Sequence, residues 1–567
     1  MDNISNTPSY KDKIEQLLSH YVDGDQVFIN AHKAKDFDYP LLRKEEFADD
    51  PYLPDSWLAL VAEVQGIIAK DMMGLDVYSP RIEIIRADQM LDMYTTVGLP
   101  HSYRHWSFGK ARIREEKKFD QNKHLAYEIV INSDPCIAYC MDTNSPVMQM
   151  LVISHACYGH NAVFKNNYLF QEFTNADTII GHIKSMRDFI EECEEKYGWK
   201  TVSDFLDFCH AMDTIDVPDT KKVKRLTSKQ LKAREIERRN AISEAPTDLF
   251  NSKAEEEGKT DKKRAFAFSG EKNILMYMAE HDERFSGWQR NIMKMRSELS
   301  QYFKPQRMTQ LLNEGFATYV HNKIMTEMYD MGLMDYGMFM EFKNSNDGVT
   351  YQPSAVRKVK GPDGKEVEKL VGASMNPYAL GYAIYCDIER ICNNPTEEDR
   401  RWFKNFAGSG DWLAMTKHAM ENSSDETFVA QYLSPTVMRK FAMFSLEGME
   451  DNDYYEITAI HNEDGFRQIR DQLAENYRYS GRVPDVSIHN YQDFDRCLIL
   501  RHRIQDGKLL DEQETTMVLQ HMHKQRGYPV VIESVDEDGE VIETLTSIPD
   551  YDYTEFSSAH DELRFDI

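Results

Sequence analysis

The stretch Asn313–His321, which reads NEGFATYVH, decides how the long middle part of this chain folds. It lies in a run from about residue 282 to about residue 331 whose apolar spacing predicts two helices joined by a turn. Glu314 and His321 are seven residues apart, close to two helical turns, so both side chains leave one face of the helix. Between them, Ala317 and Thr318 are small enough to let another element approach that face. A carboxylate and an imidazole placed in this way can bind a metal, act as an acid/base pair or simply hold two helices in register.

A second segment, residues 146–161, is apolar almost all round and predicts a buried helix that carries His155 and His160. Two imidazoles and a distant carboxylate are a familiar zinc ligand set, so we predict that His155, His160 and Glu314 bind Zn²⁺. The five-residue spacing of the histidines would place them about 140° apart on a regular α-helix. A π-bulge, which is frequent at functional sites, or a helix end near Gly159 would bring both rings to one side.

The residue types around this predicted site leave the chemistry open. Ala156 stands where the HExxH motif of metalloproteases has its catalytic glutamate, so the usual general base is missing. His321 and Tyr319 are our candidates for proton transfer or oxyanion stabilisation. Glu172 is a further possible third metal ligand, ranked below Glu314.

Length and composition limit the class of protein. A chain of 567 residues is too long for one compact core, so we expect two to four domains. A net charge of −28 argues against sequence-independent binding to nucleic acid and against binding to an anionic membrane surface. No apolar run is long enough to span a bilayer, and the first residues lack a secretory signal pattern. The eight cysteines include no CxxC pair, which predicts reduced thiols and a cytoplasmic protein.

The pattern along the chain predicts an α+β protein that is mainly α. We expect an N-terminal helical segment over residues 1–75 and a large helical core with a small sheet over residues 76–446. This core contains a charged linker over residues 219–272 and a surface excursion over residues 349–374. Residues 447–567 alternate in the order βαββαβ, which predicts a ferredoxin-like interaction module.

Several stretches of this sequence resemble those of the SpoVR (stage V sporulation protein R-like) family, in its enterobacterial-type branch. The matching stretches run in order along nearly the whole chain: HWSFGK (105–110), YEIVINSDPCIAY (127–139), HACYGHNAVFKNNYLF (155–170), YFKPQRMTQLLNEGFATYVH (302–321), NPYALGYAIYCDIERIC (376–392), QYLSPTVMRKF (431–441) and AIHNEDGFRQIR (459–470). The tail at the N-terminus and residues 353–374 depart from the family pattern.

The resemblance implies a role in forming the spore cortex, which is peptidoglycan, or in a stress response. It also implies two partners encoded in the same operon, an AAA-type serine protein kinase and a protein with a von Willebrand-type domain. The segment with His155 and His160, together with Asn313-Glu314-Gly315, also resembles the motifs of gluzincin peptidases, in which the glutamate of NEG is a metal ligand. Two strands before a histidine-bearing helix fit that zincin-like layout.

Two functions therefore compete. In the first, the protein is a zinc-dependent hydrolase of an amide or peptide, such as one derived from peptidoglycan, with water in the open position of the metal. In the second, it is a non-catalytic zincin-like scaffold or regulator that works with the serine protein kinase. The absence of a glutamate at position 156 favours the second, and the histidine pair packed against a buried glutamate favours the first.

Overall fold

The computed structural model of this protein describes residues 8–20, 55–95, 103–120, 128–213, 215, 272–353, 356–360, 366–370, 375–443, 445–448, 455–459, 463–478, 483–491, 495–505, 507–549 and 551. Helices dominate this part of the chain, and the strands form small sheets. The charged linker predicted over residues 219–272 lies outside the described residues, apart from residue 272.

The α-helices, in chain order, are α1 (Tyr10–His20), α2 (Asp55–Ile67), α3 (Ala87–Thr95), α4 (Trp106–Asp120), α5 (Pro146–Ile153), α6 (Asn161–Asn166), α7 (Tyr168–Phe173), α8 (Ile179–Tyr197), α9 (Trp199–Ala211), α10 (Ile274–His281), α11 (Gly287–Met308), α12 (Gln310–Asp330), α13 (Tyr336–Val349), α14 (Pro377–Asn393), α15 (Glu397–Trp402), α16 (Trp412–Asn422), α17 (Asp425–Tyr432), α18 (Pro435–Lys440), α19 (Glu463–Tyr477) and α20 (Glu512–Arg526). Two π-helical segments follow α2 and α5, at Ile68–Met72 and Ser154–His160 respectively.

The strands are β1 (Pro80–Ile85), β2 (Glu128–Ile131), β3 (Cys136–Met141), β4 (Val356–Lys360), β5 (Glu366–Leu370), β6 (Ser445–Gly448), β7 (Tyr455–Ala459), β8 (Val486–Tyr491), β9 (Leu498–Arg503), β10 (Val530–Val535) and β11 (Val541–Thr546). Contacts between residues divide the chain into two compact units, Met1–Lys184 with Pro305–Arg478 and Ser185–Lys304 with Tyr479–Ile567. The domain boundaries that the sequence suggested, at residues 75 and 446, remain predictions.

A three-stranded sheet in the first unit leads the chain into the histidine-bearing helix. Its order is β1-β3-β2, with β1 parallel and β2 antiparallel to the central strand β3. All six residues of β3 are buried, so this strand runs through the core. Four residues separate the end of β3 from the start of helix α5, where the Ser145 hydroxyl accepts a hydrogen bond from the Met148 N–H and Pro146 takes the first helical position.

Helix α12, which carries the NEGFATYVH stretch, packs tightly against α14. Gly315 and Gly381 face each other where the two helices cross, and a Cβ built on Gly315 would lie 2.4 Å from the backbone of Gly381. The first turn of α12 is held by Asp425, whose carboxylate accepts hydrogen bonds from the N–H groups of Leu311 and Leu312 at 3.0 and 2.9 Å. Asp425 lies on α17, so a distant helix supplies the N-terminal cap that α12 lacks locally.

The second unit contains a four-stranded sheet of order β11-β10-β9-β8, in which β9 and β10 are parallel and both outer pairs are antiparallel. The last four elements of the predicted βαββαβ order, two strands, a helix and a strand, are thus present, but the ferredoxin-like arrangement is wrong. The first strand of the predicted βαββαβ order, β7, pairs with β6 instead of joining the sheet. The helix after it, α19, buries Phe466 and Ala474 in the core of the first unit. Strand β11 takes the fourth place in the sheet.

Two helices of the first unit have distinct ends. Helix α2 continues into the π-helical segment Ile68–Met72, and Asn376 caps α14 with Pro377 at the first helical position. In the predicted surface excursion, β4 and β5 form a two-stranded antiparallel sheet. None of the eight cysteines, all of which are described, forms a disulfide bond. Among the described helices, we find none that combines the length and the apolar character needed to cross a membrane.

Candidate metal centre

The π-helical segment Ser154–His160 brings the two histidines of the buried helix together. Its backbone bonds span five residues, as from the Asn161 N–H to the Ala156 carbonyl, so residues five apart fall on one side. The rings of His155 and His160 are therefore neighbours, with centroids 4.5 Å apart and planes at 90°. The sequence allowed two ways to bring the rings to one side, a π-bulge or a helix end near Gly159, and the structure contains the π-bulge.

Glu314 from α12 meets both imidazoles. Its Oε2 atom lies 3.5 Å from Nε2 of His155 and 3.5 Å from Nε2 of His160. These distances exceed those of good hydrogen bonds. They are close to the separation of about 3.4 Å expected between two ligand atoms that share a tetrahedral cation with bonds of about 2.1 Å. The three side chains that the sequence selected as metal ligands thus converge.

Glu128 on β2 is the fourth member of this cluster, and the sequence analysis missed it. Its Oε1 atom lies 3.6 Å from Nε2 of His155. One ligand atom from each of Glu128, His155 and His160 lies within 4.8 Å of the other two. The one sign of Glu128 in the sequence is that a carboxylate begins the otherwise apolar stretch EIVI. The sequence does not reveal that β2 pairs with β3, the antiparallel pairing that brings this carboxylate to the π-helical segment.

The other ring nitrogens of the two histidines are also engaged. Nδ1 of His160 lies 2.9 Å from Oδ1 of Asn313, and Nδ1 of His155 lies 2.9 Å from Nδ1 of His321. His321 in turn places its Nε2 3.0 Å from Oδ1 of Asn346 on α13. Each Nε2 therefore faces the carboxylates while each Nδ1 is fixed from behind, which is the usual arrangement around metal-binding histidines.

The carboxylates of the cluster differ in their environments. Burial, reinforced by the charge of Glu314, raises the pKa of Glu128 to about 7 even though His155 opposes the shift. Burial also raises the pKa of Glu314, but His160 and His155 outweigh this effect and leave its pKa below the ordinary value. Glu314 is thus the carboxylate held in its charged form.

The pKa values of the three imidazoles differ as well. Burial lowers the pKa of His155, but Glu128 and Glu314 outweigh burial, and the net pKa is raised. For His160, burial dominates and lowers the pKa to about 4. Burial and the neighbouring His155 hold the pKa of His321 well below its usual value. The rings of His160 and His321 are therefore neutral near pH 7, and His160 keeps the nitrogen lone pair that metal ligation requires.

The donor set fits a divalent cation. Glu128 Oε2 and Glu314 Oε2 are buried and have no hydrogen-bond partner among the described residues. Buried carboxylate oxygens without partners are costly, and a bound cation would neutralise them. Imidazole nitrogens with carboxylate oxygens are ligands that zinc accepts.

The remaining sequence candidates lie elsewhere. The hydroxyl of Tyr319 donates a 2.7 Å hydrogen bond to Glu389 on α14 and is not part of the cluster. Glu172 lies on α7 and is not among the acidic residues that meet His155 and His160. Tyr378 is a residue that the sequence analysis missed: it donates a hydrogen bond to Glu314, and its ring stacks 6.4 Å from that of His155.

The fold and the site together define a mainly helical protein with a small mixed sheet and a buried cluster of two histidines and two glutamates. The chain belongs to the SpoVR family: the family described as SpoVR like protein matches residues 58–482, and the SpoVR-like C-terminal domain matches residues 484–537. It is 40% identical over 479 residues to the Escherichia coli (strain K12) protein YcgB, described as uncharacterized, which covers 84% of this chain and 91% of that protein. No solved structure matches the chain.

Proposed function

We propose that this protein is a metal-dependent hydrolase in which His155, His160 and Glu314 hold a zinc ion. The observation that carries the proposal is the position of Glu314 Oε2, which lies 3.5 Å from Nε2 of both histidines. Two strands followed by a histidine-bearing buried helix, with a glutamate supplied by a later helix, also support a zincin-like layout.

The chemistry follows from three protein ligands and an open fourth position. When bound, zinc would supply Lewis-acid activation of a water molecule. Glu128 is then placed to accept the proton of that water, because it approaches the cluster from β2, on a different element from the histidines. It would replace the glutamate that is missing at position 156. Tyr378 orients Glu314 through its hydrogen bond.

We propose an amide or peptide bond as the substrate. The link between the SpoVR family and the spore cortex suggests a peptide or amide derived from peptidoglycan or from its precursors. A cytoplasmic location would favour soluble precursors or proteins over the polymerised wall.

A non-catalytic role is the second candidate, and a specific observation favours it. Glu128, His155, His160 and Glu314 are four protein groups, enough to fill a tetrahedral site and leave no place for water. A closed site of this kind would stabilise a scaffold or regulator. Its partners would be the AAA-type serine protein kinase and the protein with a von Willebrand-type domain.

A substrate screen distinguishes the two. We would incubate zinc-loaded protein with soluble peptidoglycan fragments and with a peptide mixture, and detect new amino termini by mass spectrometry. The hydrolase proposal predicts cleavage that a chelator abolishes, that zinc restores, and that Glu314→Gln lacks while Glu172→Gln retains. Zinc-loaded protein without cleavage of any substrate in this screen would support the scaffold instead.

A further inference from the structure

A line of three side chains runs from the metal cluster into the interior of the first unit. Nδ1 of His155 lies 2.9 Å from Nδ1 of His321, and Nε2 of His321 lies 3.0 Å from Oδ1 of Asn346. All three residues are buried, with exposed fractions of 5%, 1% and 4%. Buried donors and acceptors are almost always hydrogen-bonded, and here the three side chains lie within hydrogen-bond distance of one another.

The direction of each hydrogen bond follows from Asn346. An amide oxygen can only accept, so Nε2 of His321 carries a hydrogen and donates it to Asn346 Oδ1. A neutral imidazole has one N–H, which leaves a lone pair on Nδ1 of His321. That lone pair must accept the hydrogen on Nδ1 of His155. In a neutral His155 ring, Nε2 then has no hydrogen and directs its lone pair at the space beside Glu128 and Glu314.

We infer that Asn346 and His321 form a hydrogen-bond relay that fixes the tautomer of His155 and presents its Nε2 lone pair to a divalent cation. The inference rests on the proposed metal site and assigns His321 a positioning role instead of the catalytic role suggested by the sequence. Both nitrogens of His321 are engaged within the relay. His321 therefore lacks a ring nitrogen to transfer protons to a substrate.

The reverse relay explains why Asn346 matters. If the Asn346 NH₂ group faced His321, it would donate to Nε2 of His321, and Nδ1 of His321 would carry the hydrogen and donate it to Nδ1 of His155. Nε2 of His155 would then carry a hydrogen that points towards the carboxylates. That arrangement lets Nε2 of His155 donate a hydrogen bond to the carboxylates, but it blocks metal binding by His155. The orientation of one amide thus selects between two tautomers of the ligand.

The test measures Zn²⁺ affinity by competition with a chromophoric chelator for the full-length protein and three variants. Asn346→Leu removes the acceptor that orients His321, and we expect an affinity about 10- to 100-fold weaker, the usual effect of disturbing the partner of a metal-binding histidine. Asn346→Asp can only accept, so it should keep the affinity within about threefold of the wild type. Asn167→Leu is the matched control: Asn167 is also fully buried but binds the carbonyls of Met420 and Ser423. It should lower stability without changing Zn²⁺ affinity.

Nitrogen-15 chemical shifts of the histidine rings give a second readout that needs no metal and no turnover. In the wild-type protein, His321 should be the tautomer with hydrogen on Nε2, and this signature should be lost in folded Asn346→Leu and kept in Asn346→Asp. Unchanged Zn²⁺ affinity in Asn346→Leu, or hydrogen on Nδ1 of His321 in the zinc-loaded wild type, would overturn the relay. Failure of the wild type to bind Zn²⁺ would instead count against the proposed function, and the ring shifts would still decide whether the relay exists.

Discussion

Gly159 packs directly on Ala317: a Cβ built on Gly159 would lie 2.5 Å from Cα of Ala317. The backbone of the π-helical segment and that of α12 are therefore in contact, with no side chain between them. On the π-helical segment, the contact residue Gly159 lies between His155 and His160 in the sequence. On α12, the contact residue Ala317 lies three residues after Glu314. The close approach is what allows the short carboxylate side chain of Glu314 to reach both rings.

Replacing Gly159 by alanine should separate these two elements. The added methyl group meets backbone atoms that cannot move aside, and overpacking of this kind costs about 1–3 kcal/mol of the free energy of unfolding. We also expect Zn²⁺ binding to weaken at least about tenfold, because Glu314 would be displaced from the histidines. Chemical denaturation and Zn²⁺ competition measure the two effects.

Gly181→Ala is the control for this substitution. Gly181 lies in the first turn of α8, and a Cβ there would meet nothing within 4 Å. Alanine should raise the free energy of unfolding by up to about 1 kcal/mol, since it has the better helix propensity, and should leave Zn²⁺ affinity unchanged. If Gly159→Ala behaved like Gly181→Ala, the close packing would not position the site.

Glu128→Gln tests whether Glu128 is a base or a fourth ligand. If Glu128 is the base, Glu128→Gln should retain about one zinc ion per chain and lose about 100-fold or more in turnover on any substrate that the screen identifies. Glu314→Gln should lose the zinc itself. Zinc content by mass spectrometry separates the two roles: loss of zinc in Glu128→Gln would identify a closed site and favour the scaffold.

Asp425→Ala should destabilise α12 from its N-terminus. The fully buried carboxylate accepts hydrogen bonds from the N–H groups of Leu311 and Leu312, which lie three and two residues before Glu314. We expect a loss of about 2–3 kcal/mol, because two buried N–H groups lose a charged acceptor. Urea denaturation measures it. Asp425→Asn can still accept one of these bonds and should lose less; equal stability of all three proteins would show that Asp425 does not cap the helix.

Stability in acid should depend on Asp399. Burial raises the pKa of this carboxyl group, but hydrogen bonds from Arg390 and Thr396 outweigh burial and hold its pKa below the ordinary value. The Asp399 carboxyl group thus binds a proton less readily in the folded state than in the unfolded state. Its contribution to the free energy of unfolding is therefore complete above about pH 4, the pKa in the unfolded state, and is lost as the pH falls through the lower pKa of the folded state.

Asp399→Asn should therefore lower the free energy of unfolding by about 2 kcal/mol at pH 7, with a smaller difference from the wild type below about pH 4. The control is Glu397→Gln, since Glu397 forms a mostly exposed pair with Arg400 and should contribute less than about 0.5 kcal/mol. Denaturation across this pH range tests the sign: a difference that grows in acid would contradict it.

The sequence predicted the parts of this site that lie in local patterns. The helical spacing of Glu314 and His321 placed both side chains on one face, and both reach His155 in the structure. The small residue Ala317 predicted the close approach of another element, which is the π-helical segment. The five-residue spacing of His155 and His160 identified a π-bulge as one way to align them.

The parts that the sequence could not predict depend on pairing between distant segments. Glu128 joins the cluster because β2 lies beside β3, a register that no local pattern encodes. Strand β7 has the periodicity of any strand, and no local pattern shows that it pairs with β6 and not with the C-terminal sheet. Tyr319 lies on the same helix as Glu314, but its hydroxyl is bound by Glu389 from α14.

The metal content of the purified protein tests the central claim most directly. We would measure zinc by mass spectrometry in the wild type, in His155→Ala and Glu314→Ala, and in Glu172→Ala as the control, with circular dichroism to show that each is folded. The account predicts about one zinc per chain in the wild type and in Glu172→Ala, and none in the other two folded variants. A wild-type protein that binds no zinc after reconstitution, or folded His155→Ala and Glu314→Ala variants that keep it, would contradict the account.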